Sequence, residues 1–129
     1  MIFRFILFLW VFQVYSSIPN VDNEDRVYIS TNSVAYFEIS SNPSTGYWWT
    51  IQEFASEKFS VDDYDGEYQE PLSDLDGAGS TQLFCLKCNS LCQESDEFSL
   101  TLNLKRSWEE YPIQTKTLRI LVSNEPRIQ

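Results

Sequence analysis

Three cysteines stand at Cys85, Cys88 and Cys92. A C-x2-C-x3-C run superficially suggests a metal cluster. Zinc needs a fourth nitrogen or sulfur ligand, and the chain has 3 Cys and no His with which to supply one. The lack of histidine also removes Ser-His and Cys-His nucleophile pairs and the commonest general base. A catalytic thiol would have no imidazole to activate it. In an oxidising lumen, three cysteines resolve to one disulfide and one odd thiol. Cys85 falls in strand alternation and suits a buried free thiol. That favours a local Cys88–Cys92 bridge, although spacing alone does not fix the pairing.

Carboxylates are the other candidates for chemistry. Nine acidic residues and one Lys lie between Glu53 and Asp76. Placing Gly66 at the sixth position of a calcium loop puts Val61 first and Leu72 twelfth. Both positions need oxygen ligands, so the EF-hand reading fails. A solvated, partly mobile loop region is the plainer reading. An enzyme built on Asp62-Asp63 or Glu109-Glu110 is disfavoured, because neighbours on a strand point to opposite faces. No cofactor or metal is implied.

The most specific pattern is a loop, Asn42-Pro43-Ser44-Thr45-Gly46-Tyr47-Trp48-Trp49. Pro43 fixes φ, and Gly46 supplies backbone freedom. Ser44 and Thr45 make a tip narrow enough to enter a cleft. The elements that hold it read as strands, since alternation replaces helical periodicity. Phe98, Leu100, Leu102 and Leu104 share one face, as do Leu118, Ile120 and Val122. Val27 with Ile29 and Phe37 with Ile39 repeat the pattern. The runs 47–52 and 81–87 are β-rich as well. Turns at Asn42-Pro43, Asp65-Gly66, Asp76-Gly77 and Tyr111-Pro112 separate them. The expected architecture is all-β, a sandwich or partly closed barrel of some seven short strands.

The loop resembles the NPTTGF/Y motif of the chagasin family, inhibitors of papain-like cysteine peptidases. That family carries two further motifs, G-x-G-G and R-P-W/F. Here they correspond to Gly77-Ala78-Gly79-Ser80 and Arg106-Ser107-Trp108. The resemblance spans about Val27 to Val122. It implies an immunoglobulin-like β-sandwich of seven to eight strands, with three motif loops at one end forming a wedge. Thr45 would sit at the tip over the enzyme's catalytic cysteine and histidine, framed by Ser44 and Gly46. Its hydroxyl would replace one hydrogen bond lost in the cleft. Gly77 to Gly79 would pair their backbone with the non-primed groove. Trp108 would meet an aromatic wall on the primed side, and Arg106 would add polar contacts. Trp49 would lie in the core and Trp48 would face outward. Two residues depart from the motifs. Ser80 replaces a glycine, reducing loop flexibility. Ser107 replaces a proline, freeing one dihedral and raising the entropy lost on binding.

The implied partners are papain-like, cathepsin-L-like cysteine proteases, bound reversibly and one-to-one by a monomer. The alternative is a secreted binding or adhesion module that uses the same sandwich without inhibiting anything. Composition agrees with a folded domain rather than disorder, at 43% hydrophobic, 16% aromatic and 22% charged over 129 residues. The net charge of −10 repels phosphate backbones, so nucleic acid and anionic membrane are poor partners.

Residues 1–16, MIFRFILFLWVFQVYS, order a charge, an apolar run and small residues as a secretory signal does. The run is short of the roughly 20 residues a membrane span needs. The expected organisation is a signal over 1–16, an inhibitor domain over 17–123 and a frayed tail over 124–129. The product would follow the secretory route, outward or into lysosome-like or phagosomal vesicles, with no membrane attachment after cleavage. No N-glycosylation sequon occurs. N-terminal sequencing of the natural protein should therefore begin near Ser17. An intact Met1 on soluble cytosolic protein would refute the signal.

Overall fold

Strand alternation gives each long strand one apolar face, and two such faces must be pressed together to leave water. The computed structural model, which describes residues 18–70 and 80–125, does this with eight strands. They are β1 (Arg26–Ile29), β2 (Ser33–Ser41), β3 (Tyr47–Ile51), β4 (Phe59–Val61), β5 (Glu67–Gln69), β6 (Ser80–Cys88), β7 (Glu97–Arg106) and β8 (Gln114–Val122). One sheet runs β1-β8-β7-β3. The other runs β2-β6-β4, with β5 also paired to β6. The expected all-β sandwich is thus the observed fold. The signal segment, the Gly77-Ala78-Gly79 stretch and the last four residues lie outside the described residues.

The core is the seam between the sheets. Val27, Ile29, Leu100, Leu102, Leu118, Ile120 and Val122 face it from the first sheet, and Phe37, Ile39, Phe84 and Leu86 from the second. Phe37 and Phe84 are cross-strand partners, and their rings stack at 5.3 Å. Ahead of β1, Val21 is fully buried. Its N–H donates to the Glu38 carbonyl at 2.9 Å, and Glu38 N–H donates to the Pro19 carbonyl at 3.0 Å. This segment covers the edge of β2, which would otherwise offer unpaired backbone groups.

Cys88 and Cys92 form the disulfide, within the connection from β6 to β7. Beside it, Lys58 donates to Asp96 at 2.9 Å. That bond, with the Gln93 N–H on the same carboxylate, holds Asp96 below the usual carboxylate range. Cys85 is free but half-buried. It was expected inside. The register instead places it on the outer face of β6, opposite Tyr36, while Phe84 and Leu86 point inward. Burial, followed by the nearby Asp62 charge, raises the pKa of this thiol. It is therefore a poorer nucleophile than an ordinary cysteine.

The acidic stretch also differs from the expected solvated loop. It contains β4 and β5, which lie in tandem along one side of β6. Between them, the Tyr64 carbonyl accepts from Ile51 N–H at 2.7 Å. The Asp65 carbonyl accepts from the Trp48 indole N–H at 2.7 Å. Asp62 pairs with Lys87 at 2.7 Å. The described acids, Glu53 to Glu70, stay at the surface while the backbone between β4 and β5 bonds to the outer edge of β3.

Gln82 is the one buried polar residue among those described. Its amide oxygen accepts from Trp49 N–H at 2.8 Å and from the Ser41 hydroxyl at 3.1 Å. Its amide nitrogen donates to the carbonyls of Trp49 and Asp65, both at 2.8 Å. The side chain thereby joins β6 of one sheet to β3 of the other. Gln82→Leu would leave several of these buried groups without partners, each at roughly 1–3 kcal/mol. The substitution should lower stability by about 3 kcal/mol or more in urea unfolding. A variant as stable as the wild type would show that the amide does not couple the sheets.

Candidate functional site

The first loop links the end of β2 to the start of β3 and so passes from one sheet to the other. Pro43–Thr45 forms a single 3-10 turn. Pro43 opens it, as its fixed φ suits an initial turn position. Gly46 closes it with φ +86° and an N–H bond to the Pro43 carbonyl at 2.9 Å. A side chain there would be strained by the backbone alone. Its Cβ would also come within 3.2 Å of the Trp108 ring.

The loop is braced from within. The Ser44 hydroxyl donates to the Asn42 side-chain oxygen at 2.7 Å. The Thr45 hydroxyl donates to the Asn42 carbonyl at 2.8 Å. That hydroxyl was expected to serve the partner; its hydrogen is instead committed to the loop's own backbone. Asn42, Ser44 and Thr45 are exposed, and Pro43, Gly46 and Tyr47 are half-buried.

The third motif stands directly beside it, because Tyr47 and Arg106 are cross-strand partners on β3 and β7. Arg106 Nε donates to the Thr45 carbonyl at 3.2 Å. Its guanidinium carbon lies 4.3 Å from the Tyr47 ring centroid and 5.7 Å from that of Trp108. Both are within cation–π range. Arg106 was expected to reach a partner. It works first as a staple between the two loops.

Ser107 lacks the motif's proline, but its turn is fixed otherwise. Glu109 N–H donates to the Arg106 carbonyl at 3.0 Å. The Glu109 carboxylate accepts from Arg106 N–H at 3.1 Å. This offsets the backbone freedom expected at Ser107. Trp108 projects from the turn, 72% exposed, whereas Trp49 is 5% exposed. Trp48 is half-buried on the outer face against Tyr68.

The second loop's tip lies outside the described residues, but its far end does not. Ser80 begins β6 opposite Ser41, the last residue of β2. The Ser80 hydroxyl donates to the Ser41 carbonyl at 2.5 Å. The strand ends bearing all three motifs therefore gather at one end of the sandwich. Sequence reasoning missed Gln82, Asp65 and Glu109, which hold that end in place. A glutamine within an alternating run and acids within an acidic run carry no distinguishing signal.

The family model for chagasin-family peptidase inhibitors, family I42, matches residues 28–122. The chain belongs to the chagasin family. This is a family of peptidase inhibitors and not of enzymes. Among solved structures, the chain is similar to the cysteine protease inhibitor EhICP2 from Entamoeba histolytica. They are 28% identical with a TM-score of 0.60, over 82% of this chain and 94% of that one. It also shares its fold with amebosin, at 21% identity and a TM-score of 0.54 over 84% and 100% of the two chains. PbICP-C, solved in complex with falcipain-2, shares the fold at 16% identity and a TM-score of 0.51, over 84% and 96%. No curated protein sequence matches the chain.

In chagasin terms, the first and third motifs are brought together, and Ser80, the last residue of the second, begins β6 opposite Ser41. The difference in exposure between the two tryptophans separates core from surface. Trp49→Ala should destabilise the domain by roughly 3–5 kcal/mol, as deletion of a buried aromatic does. Trp108→Ala should leave the melt within about 0.5 kcal/mol of wild type, as for an exposed side chain. Thermal unfolding of both variants checks this. The opposite ordering would reverse the inside–outside assignment.

Proposed function

We propose that this chagasin-family inhibitor blocks papain-like cysteine proteases by inserting its motif loops into the active-site cleft. The observation that carries the reading is the Arg106 staple, which fixes the first loop and the Trp108 turn as one surface. EhICP2, itself a cysteine protease inhibitor, is the solved relative that most directly supports the target class. The complex of PbICP-C with falcipain-2 supports a cysteine protease as the partner.

The first loop presents small side chains on a backbone already closed by its own hydrogen bonds. It can displace water from the catalytic cysteine and histidine without ordering itself anew, which keeps the entropy lost on docking small. The Pro43–Thr45 turn curls its backbone into internal bonds and offers no extended segment for attack. Inhibition is then reversible and competitive, with one inhibitor per enzyme. Gly77 to Gly79 supply backbone for the non-primed groove, and Trp108 supplies a large apolar contact on the primed side. Cathepsin-L-like enzymes are the proposed targets.

The proposed route is secretory, with residues 1–16 as a cleaved signal. Support comes from Pro19 and Val21, which bond to β2 just beyond the cleavage site and are retained. The mature chain acts outside the cell or in lysosome-like or phagosomal vesicles, as a monomer free of membrane.

Mature protein should inhibit papain and a cathepsin-L-like enzyme in a titration. Thr45→Arg should abolish inhibition through bulk at the tip, while circular dichroism and melting stay normal. Thr45→Ala should cost only about 1 kcal/mol, the net value of the one hydrogen bond by which its hydroxyl braces the loop on the Asn42 carbonyl. Full inhibition by a folded Thr45→Arg variant would show that this loop does not enter the cleft.

A further inference from the structure

Exposed apolar side chains are ordinary singly and informative when grouped. Among the described residues, the three most exposed large apolar side chains are Tyr111 at 74%, Trp108 at 72% and Ile113 at 58%. All three lie on the short connection between β7 and β8. Trp108 belongs to the third motif. Tyr111 and Ile113 belong to none.

This connection holds its apolar residues outward on a fixed backbone. The N–H of Ile113 donates to the Leu104 carbonyl at 2.8 Å, so pairing with β7 continues past the start of β8. Glu109 closes the turn on Arg106, and Lys105 Nζ donates to the Glu109 carbonyl at 3.0 Å. Pro112 fixes φ between Tyr111 and Ile113. Little backbone freedom remains to be lost on contact, and a tyrosine covers a large area at low side-chain entropy.

We propose that Tyr111 and Ile113 form a second apolar contact that grips the target protease beside the primed end of its cleft. This rests on the inhibitory reading above and extends it beyond the three motifs. Two observations select the protease as occupant. Tyr111 and Ile113 share the short β7–β8 connection with Trp108, which that reading places against the primed side. Exposed Glu110 adjoins Tyr111, and a net charge of −10 opposes association of the chain with itself. The matching surface is an apolar shelf rimmed by lysine or arginine.

The test compares wild type with Tyr111→Ser/Ile113→Ser on immobilised papain and a cathepsin-L-like protease, reading dissociation rates, inhibition constants and melts. The double variant should melt as wild type does and leave at least one of these proteases roughly tenfold faster, since contact loss acts mainly on dissociation. Should it fail to fold, Tyr111→Ser alone carries the same readout. Glu110→Lys should slow association at low salt, with the effect fading as salt rises. Unchanged association would remove the basic rim. Dissociation within about twofold of wild type from every protease that wild type inhibits would overturn the second contact and leave the wedge standing. A wild type that binds neither protease would bring down both. A wild-type dimer that the double substitution converts to monomer would assign the patch to self-association and overturn the proposal.

Discussion

One side-chain amide connects the two sheets at the end of the molecule that bears the family motifs. Gln82 uses both its oxygen and its nitrogen twice, on Ser41, on both backbone groups of Trp49, and on Asp65. In a low-dielectric seam such bonds are strong when complete and costly when broken. Apolar faces can slide while remaining apolar, but these four bonds admit one arrangement. Ser41 precedes the first loop and Trp49 follows it closely. The amide therefore fixes both ends of a loop that must cross between sheets.

The remaining supports extend the same logic outward. Ser80 ties the end of the second loop to Ser41. Arg106 ties the first loop to the third. Glu109 holds the turn that presents Trp108. The two departures from the family motifs acquire a physical reading here. Ser80 adds a hydroxyl bond that glycine cannot make. Ser107 removes proline's constraint, and the Glu109 carboxylate restores much of it on the following turn. Constraint at this end is a property of the whole hydrogen-bond set rather than of any one motif residue.

Much of the frame was legible in the sequence because burial repeats with the strand period. Phe98 to Leu104 and Leu118 to Val122 are unambiguous for that reason, and the core contains what those patterns select. The first loop was legible because Asn-Pro and Thr-Gly constrain the backbone locally. β4 and β5 were hidden, since three-residue strands among acids have too little length for a pattern. Cys85 was misplaced because alternation gives two faces without saying which is inside; register decided it. Gln82 was unreadable for a deeper reason. Its partners are a backbone carbonyl and an amide 33 residues away and others on two further segments, and nothing local announces such a convergence.

The distribution of charge explains how so acidic a chain can offer a tip suited to a cleft. The net charge is −10, yet residues 42–47 contain no acidic or basic side chain. Inserting a carboxylate into a narrow cleft would strip its water, a penalty of several kcal/mol for an unpaired buried ion. A tip of Ser44, Thr45 and Gly46 avoids that penalty. Arg106 is the nearest charge, and it already lies over the Tyr47 ring and bonds to the Thr45 carbonyl. Many of the acids stand elsewhere in the chain, on the segment from Glu53 to Glu70. There they keep their hydration and still act at a distance, steering approach toward positive surfaces. An uncharged tip is thus compatible with an acidic chain: the loop has no ion's hydration to shed, while charges elsewhere still act at a distance.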